Sequence, residues 1–180
     1  MEKAIASGRF HVLCYDENGD LKWEENNSNL VVNAGVVYMA GSALDAVTQI
    51  TSWYIGLVTG PGSGTTFSIG DTMASHGATG SGGWTEFTGY SQDRVLANLT
   101  NTSDTAGGNN KSIVTNSAAI AAFSINAGGT VAGAFLTSVQ AKSPGNTGTL
   151  FSASDFTGGD RTVVNGDTLN VTYTFTLTGA

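Results

Sequence analysis

The sequence predicts a mostly β protein whose strands form a sandwich or a barrel. From Thr168 to Thr178 every second residue is large and apolar, and the residues between them are Thr or Asn. Such strict alternation is typical of a strand with one face in a core and the other near water. Asn18-Gly19 separates two apolar runs, which is a strong hairpin signal. Turn residues then recur at short intervals through the second half of the chain, as in all-β domains.

The first predicted element is a hairpin with strands from Phe10 to Tyr15 and from Leu21 to Glu25. A type I′ turn needs positive φ at both central positions, and Asn-Gly supplies them. With Asn18 and Gly19 at those positions, Cys14 faces Trp23 and Asp16 faces Leu21. The predicted core face comprises Phe10, Val12, Cys14, Leu21 and Trp23.

One helix is predicted between Asn33 and Val47. Apolar residues recur there near helical spacing, and Asn33 is a residue type that can cap a helix. Gly35 and Gly41 weaken the helix by about 1 kcal/mol each relative to Ala.

A buried strand, Trp53 to Val58, is predicted next, followed by a long glycine-rich loop from 59 to 83. One helical turn is predicted inside the loop, from Asp71 to His76. A loop of this length is uncommon in a compact domain unless it binds something. An aromatic cluster of Trp84, Phe87 and Tyr90 lies at its end.

The second half is predicted to contain strands with turns between them. The run from Val131 to Gln140 is apolar on both faces, which indicates a central strand. The other predicted strands are 95–99, 112–115, 119–125, 149–152 and 168–178.

Composition excludes several classes of partner. The 180 residues form one domain, with 40% hydrophobic and only 12% charged residues. The formal net charge is −7, and the seven Lys and Arg are scattered from Lys3 to Arg161. We therefore expect neither a nucleic-acid partner nor a membrane surface. Many small polar residues and few charges suit a surface that lies against other protein.

Cys14 is the only cysteine, so no internal disulfide can form. The N-terminus begins Met-Glu-Lys-Ala without the apolar stretch of a signal peptide. These two features predict synthesis in a reducing cytoplasm.

Three patterns raise the possibility of a metal or catalytic site. Asp16, Asn18 and Asp20 resemble the start of a calcium loop, but the later Gly and Glu ligands are missing, and a hairpin turn explains the same residues. Asp71 and His76 could ligate a metal but lack a third ligand at suitable spacing. No cofactor is predicted.

The third pattern is the carboxylate pair Glu86 and Asp93, which lies near the aromatic cluster. Together with Trp84 and Tyr90 these side chains could line a sugar site. The simpler interpretation, which we favour, is that both are solvated loop charges that hold the loop by local hydrogen bonds. Catalytic residues are therefore not assigned, and the chain is not predicted to be an enzyme.

Several sequence phrases, taken in order, resemble small structural proteins of tailed bacteriophages, encoded near the major capsid protein. The resemblance covers most of the chain from about Asn29 onward. The phrases are Asn29 to Gly35, Trp53 to Leu57, Gly70 to His76, Trp84 to Phe87 with Tyr90-Ser91, Ala134 to Ser138, and Gly166 to Tyr173.

The resemblance implies a capsid decoration, or cement, protein. Such proteins are β-sandwiches, often jelly rolls, that bind the outer shell and tie neighbouring capsomers together. We accordingly expect an antiparallel sandwich of jelly-roll type with one short helix. The expected partners are the major capsid protein and further copies of the chain, on the virion surface.

Two regions are predicted to make the contacts. The first is an N-terminal arm, 1–7, which could add a strand to the edge of a neighbouring sheet. The second is the aromatic cluster, whose members could be interface anchors or could close one end of the core. The residues concerned are Met1, Glu2, Lys3, Ala4, Ile5, Trp84, Phe87 and Tyr90.

Two alternatives remain open at this point. A tail or fibre protein that binds host carbohydrate would expose aromatic residues on one flat site. An enzyme acting on cell-wall sugar would place two carboxylates across a cleft, roughly 5–10 Å apart.

Overall fold

The computed structural model describes residues 3–60, 67–75, 84–102, 111–142 and 145–179. Within these ranges there are two antiparallel sheets, one α-helix and a 3₁₀ turn at Met73–Ser75. The elements are β1 (Ala4–Tyr15), β2 (Leu21–Ser28), β3 (Leu30–Val31), α1 (Asn33–Leu44), β4 (Tyr54–Thr59), β5 (Thr85–Phe87), β6 (Val95–Leu96), β7 (Thr100–Asn101), β8 (Lys111–Thr115), β9 (Ala121–Ser124), β10 (Gly129–Thr137), β11 (Leu150–Asp155), β12 (Arg161–Val163) and β13 (Thr168–Gly179).

The two sheets pack face to face as a sandwich, which confirms the predicted class with its single helix. The first sheet has the order β2-β1-β13-β8-β7, and β9 also pairs with β13. The second has the order β3-β11-β10-β4-β5, with β12 on β10 and β6 on β4. The predicted jelly-roll topology is not confirmed by these strand orders.

The alternation of the last strand places its apolar residues in the core, as predicted. Leu169, Val171 and Tyr173 have no exposed surface, while Thr172 and Thr174 lie on the outer face. The alternating strand is central because β1 pairs along its whole length on one side, and β8 and β9 pair with it on the other. The final residues project beyond the core, and Leu177 is 39% exposed.

The first hairpin forms, but its turn is longer than predicted. Cys14 pairs with Trp23 as expected, and the register then shifts so that Tyr15 pairs with Leu21. Only Gly19 has positive φ, and the Asp16 carboxylate accepts bonds from the backbone N–H groups of Asn18 and Asp20. An Asx turn therefore replaces the two-residue I′ turn.

The register shift also changes which residue reaches the core. Leu21 was predicted on the core face but is 54% exposed, because its partner Tyr15 belongs to the outer face. Phe10, Val12 and Cys14 are buried as predicted.

β10 is the central strand of the second sheet, as its doubly apolar sequence predicted. It pairs with β4 along one side and with β11 and β12 along the other. Its inner face packs on the first sheet through Ala134 and Leu136, and its outer face carries Phe135 into a second apolar cluster.

The described part of the glycine-rich loop covers this second cluster. Met73 and Trp84 are buried against Phe135, and Phe67 packs beside them. The 3₁₀ turn at Met73–Ser75 lies within the predicted helical turn from 71 to 76. This segment contributes a third layer over one face of the second sheet, which gives the long loop a structural role.

The helix runs from Asn33 to Leu44, three residues shorter than predicted. Asn33 is its first residue, and the N-cap is Val32, which supplies no side-chain bond. The helix ends where Ala46 takes a φ of 51°, in the left-handed region that non-glycine residues rarely adopt.

Candidate functional site

The three predicted aromatic anchors lie inside the molecule. Trp84 is 2% exposed, Phe87 6% and Tyr90 1%. Trp84 packs on Phe135 with ring centroids 4.8 Å apart, and Tyr90 meets Phe123 edge-on at 5.0 Å. These burials correct the interpretation of the cluster as exposed anchors, because apolar rings gain more by completing two cores than by facing water.

Glu86 forms a buried ion pair with Arg94. Both guanidinium-to-carboxylate hydrogen bonds are present, at 2.9 and 2.8 Å, and both side chains are almost inaccessible to solvent. Arg94 also donates to the carbonyl oxygens of Val139 and Gly145. The pair therefore fastens β5 to the segment that follows β10, and its geometry is that of a structural clasp.

Tyr90 and Lys142 complete this clasp. The Tyr90 hydroxyl donates to Glu86, and burial, followed by the charge of Glu86, raises the pKa of Tyr90. Lys142 donates to the Tyr90 carbonyl at 2.8 Å and lies 4.0 Å from the centre of the Tyr90 ring, while burial lowers the pKa of Lys142. The clasp residues, which we call the Glu86–Arg94 clasp, are Glu86, Tyr90, Arg94 and Lys142.

The proposed carboxylate pair does not face across a cleft. The Glu86 carboxylate accepts hydrogen bonds from Arg94 within the clasp, and the Asp93 carboxylate accepts a 3.5 Å bond from the backbone N–H of Lys142. The structure thus gives both carboxylates hydrogen bonds within the chain, but Glu86 is buried in β5 and is not a solvated loop charge, and the Asp93 bond joins it to Lys142, which is distant in sequence.

The metal candidates are also explained by backbone contacts. Bonds from Asp20 and other turn amides hold the pKa of Asp16 below its ordinary value. Asp71 accepts a 2.8 Å bond from the backbone N–H of Ser68. Among the described residues no three His, Cys, Asp or Glu side chains come together as a metal-binding group. His76 lies outside the described residues.

The predicted N-terminal arm is in large part a strand. Ala4 pairs with Gly179, and the ladder continues without interruption to Tyr15. For residues 4–7 this corrects the interpretation of a free arm, because β13 is long enough to pair with them. Lys3 is exposed, and Met1 and Glu2 lie outside the described residues.

One side of this N-terminal segment remains open. β2 pairs with β1 only from Arg9 onward, and the last contact is a 2.9 Å bond from the Asn29 N–H to the Gly8 carbonyl. The chain then leaves for the second sheet at Leu30–Val31. No strand described here covers the edge of β1 from Ala4 to Ser7, which we call the open edge.

The most unusual surface is that of α1. The helix carries no charged side chain, yet Gly35 is its only buried residue. Val37 is 71% exposed, Leu44 89% and Val36 46%, and Val47 just beyond the helix is 46% exposed. A helix that is apolar on all sides is normally covered by other protein. We call Val36, Val37, Leu44 and Val47 the apolar helix surface.

The helix is fixed firmly to the second sheet, so the exposed face is a defined surface. A Cβ on Gly35 would overlap the Phe151 carbonyl oxygen, and only glycine permits this approach. The Tyr38 hydroxyl accepts a bond from the backbone N–H of Ile50, and its ring packs edge-on against Trp53. Met39 also packs against the main core.

An apolar cavity opens beside the inner side of α1. Its volume is about 150 Å³, and it is lined by the helix, the Trp53 region and the projecting end of the first sheet. The lining includes Tyr38, Met39, Trp53, Leu99, Val114 and Phe175. The inner side of α1 is therefore apolar as well as its exposed face.

The sequence contains an indication of this surface that an analysis of hydrophobic periodicity does not detect. Between Glu25 and Asp71 the only charged residue is Asp45. A stretch of this length that spans a helix and still lacks charge is not typical of a solvated surface, where Lys, Glu, Arg and Asp dominate. The absence of charge, more than the presence of aromatics, marks the candidate contact region.

Comparison of the chain with family models, curated proteins and solved structures gave no significant match. Within the described ranges, no helix has the length and apolar character needed to cross a membrane. The candidate site therefore rests on its own geometry: an uncharged helix with its apolar face outward, and a short open strand edge.

Proposed function

We propose that this chain is a structural protein of a tailed-phage virion, a decoration or cement protein that binds the outer capsid shell and stabilises contacts between capsid subunits. The proposed partners are the major capsid protein and further copies of this chain, on the capsid surface after synthesis in the host cytoplasm. The observation that carries the proposal is the apolar helix surface. The resemblance of the sequence phrases to phage structural proteins supplies the particular partner.

The energetics favour protein as the cover for this surface. Burying one Val or Leu side chain gives roughly 1.5–3 kcal/mol, so Val37 and Leu44 together could stabilise a complex appreciably. α1 itself carries no charged group that would have to be desolvated, and Asp45, its C-cap residue between Leu44 and Val47, is the charge next to the surface. A contact of this size is modest for one copy, but a shell presents many equivalent sites, and copies that also touch each other bind with higher avidity.

The carbohydrate-binding alternative has less support. Sugar sites of the predicted kind present exposed aromatic rings, but every described Trp, Tyr and Phe side chain is buried or partly buried. The large apolar side chains that are well exposed are aliphatic, which suits a protein partner more than a sugar.

Binding to shells tests the proposal. Capsids prepared without this protein are mixed with the wild-type chain or with the double variant Val37→Glu/Leu44→Glu, and the bound fraction is measured by co-sedimentation. We expect the double variant to bind at least about 10-fold more weakly, since two carboxylates would have to be desolvated. The fold should survive, because both positions are mostly exposed.

Ile120→Glu is the matched control. Ile120 is 48% exposed in the turn between β8 and β9, away from α1. Its variant should bind like the wild type. Equal binding by the double variant and the control, or wild-type protein that stays in the supernatant, would contradict the proposal.

A further inference from the structure

The open edge offers backbone hydrogen-bonding groups in a defined direction. Backbone groups of a strand point alternately to its two neighbours. The Gly8 carbonyl points toward β2, where it binds the Asn29 N–H. The backbone N–H and C=O groups of Ala6 and Ala4, two and four residues earlier, therefore point to the same side of β1 as the Gly8 carbonyl. Beyond Asn29 no described strand lies there to receive them.

The open edge lacks the usual protection against pairing. Natural edge strands are blunted by Pro, by bulges or by inward-pointing charges. The segment from Ala4 to Ser7 contains none of these, and its ladder with β13 is regular. Ile5 is 54% exposed on the outer face, opposite Thr178. Lys3 is the one charge immediately before it.

We propose that the open edge pairs with the open edge of a second copy of this chain, antiparallel and about a two-fold axis through Ile5. Ala4 of one copy then forms a hydrogen-bonded pair with Ala6 of the other, and Ala6 with Ala4. Ile5 lies opposite its own equivalent in a non-hydrogen-bonded pair. The first sheet thereby continues from one copy into the next.

Register is fixed by a bond already made within the chain. A two-fold axis through Ala6 would require Gly8 to pair with Ala4 of the second copy. The Gly8 carbonyl is occupied by Asn29, whose side chain also fills the space beside Gly8. Among the registers that pair both Ala4 and Ala6 with described residues, only the one centred on Ile5 leaves the Gly8 carbonyl to Asn29.

Charge also favours a second copy at this place. The chain carries −7 overall, so most surfaces of two copies repel each other. From Lys3 to Tyr15 the sequence contains no carboxylate. Along the described part of the edge, from residue 3 onward, two copies can therefore meet without bringing acidic side chains together, and added salt should strengthen the pairing by screening the remaining net charge.

A disulfide trap tests the pairing. In a non-hydrogen-bonded antiparallel pair the Cα atoms are about 4.5 Å apart, within the range that a disulfide spans. Ile5→Cys should therefore form cross-linked dimers in oxidised glutathione at least about 10-fold faster than Leu21→Cys, because pairing raises the effective thiol concentration. Leu21 is the matched control, since it is equally exposed at 54% on the same sheet. The native Cys14 is buried, and burial raises its pKa to about 12, so it should not compete.

A second substitution separates strand pairing from chance collision. Ala6→Pro removes the open N–H without breaking the ladder to β13, and it should reduce the cross-linking rate of Ile5→Cys to that of Leu21→Cys. In the absence of any cysteine change, Ile5→Lys should abolish self-association in sedimentation velocity, while Leu21→Lys should leave it unchanged. Equal cross-linking at positions 5 and 21, or insensitivity to Ala6→Pro, would overturn the proposal. The test involves no capsid, so its outcome is independent of shell binding.

Discussion

The Glu86–Arg94 clasp and the apolar helix surface invert the usual distribution of residues. The clasp buries a carboxylate, a guanidinium and a phenol, whereas α1 exposes Val37 and Leu44 to water. The clasp is internally satisfied, because each charged group has its partners within the chain. The helix surface has no such cover. The difference indicates that the clasp serves the fold, whereas the helix surface is the place where we propose an association.

The largest effect on stability should come from breaking the clasp. Arg94→Met leaves Glu86 charged and buried, and it should lower the free energy of unfolding by about 3–5 kcal/mol. Urea denaturation measures the loss. Adding Glu86→Gln to Arg94→Met should restore part of it, because the buried charge is then gone. A loss below about 1 kcal/mol would show that the clasp is solvated, contrary to its burial.

A smaller loss should follow from lifting α1 off the sheet. In Gly35→Ala, the new Cβ would meet the Phe151 carbonyl, and overpacking of this kind costs about 1–3 kcal/mol. Gly70→Ala is the control, since nothing lies within 4 Å of a Cβ there. Thermal unfolding of the two variants should therefore differ by several degrees, and equal melting temperatures would mean that α1 is loosely seated.

Asp155 tests the opposite case, a buried carboxylate that has no cationic partner among the residues the structure describes. Burial, with a contribution from the charge of Asp160, raises the pKa of Asp155 to about 6. A hydrogen bond from the backbone N–H of Phe67 acts in the opposite direction and lowers this pKa. The folded pKa of Asp155 lies above the unfolded value of 3.8. Between these two pH values the folded state therefore binds the proton more tightly than the unfolded state does. Asp155 therefore contributes most stability below about pH 4, and the contribution is lost as the pH rises to about 6.

Asp155→Asn should remove this loss. The amide keeps an acceptor for Phe67 and has no charge to desolvate, so the variant should be more stable than the wild type at pH 7 by about 1–2 kcal/mol. The two proteins should be equally stable near pH 4. Urea midpoints across this range measure the difference, and parallel profiles would show that Asp155 is not the group responsible.

The smallest effect should be at the end of α1. Ala46 has a φ of 51°, where glycine is not strained, so Ala46→Gly should stabilise the protein by about 1 kcal/mol. Ala43→Gly, inside the helix, should destabilise it by a similar amount. Shell binding should be unchanged by Ala46→Gly, because this substitution leaves Val37 and Leu44 in place.

Local patterns predicted the two central strands well, but not the short strands β5, β7 and β12. The alternation from Leu169 to Tyr173 indicates a strand with one buried face, and the run of β10 that is apolar on both faces indicates a strand buried on both sides. Each pattern is therefore readable from the sequence. The hairpin turn was less predictable. Asn-Gly permits a two-residue turn, but the Asp16 carboxylate binds two backbone amides and favours a longer one. A competing side-chain bond of this kind does not change the hydrophobic pattern.

The candidate site was predicted only in part. The N-terminal segment was identified as a possible added strand, but its pairing with β13 was not foreseen, because register between distant strands is absent from local sequence. Trp84, Phe87 and Tyr90 were assigned as possible anchors from composition alone. An aromatic residue suits an interface and a core equally. The contacts of Trp84 with Phe135 and of Tyr90 with Phe123 show that these rings belong to the core.

Residue types and their local spacing were sufficient to establish the β class, the single helix, the central strands and the near absence of charge between Glu25 and Asp71. These properties depend on residue type and on spacing along a few turns or strands. The tertiary structure alone decided which apolar groups are covered. It buried the aromatic cluster, paired Glu86 with Arg94, and left one side of α1 and one edge of β1 exposed. Burial depends on what distant segments bring to the same place, and no local pattern contains that information.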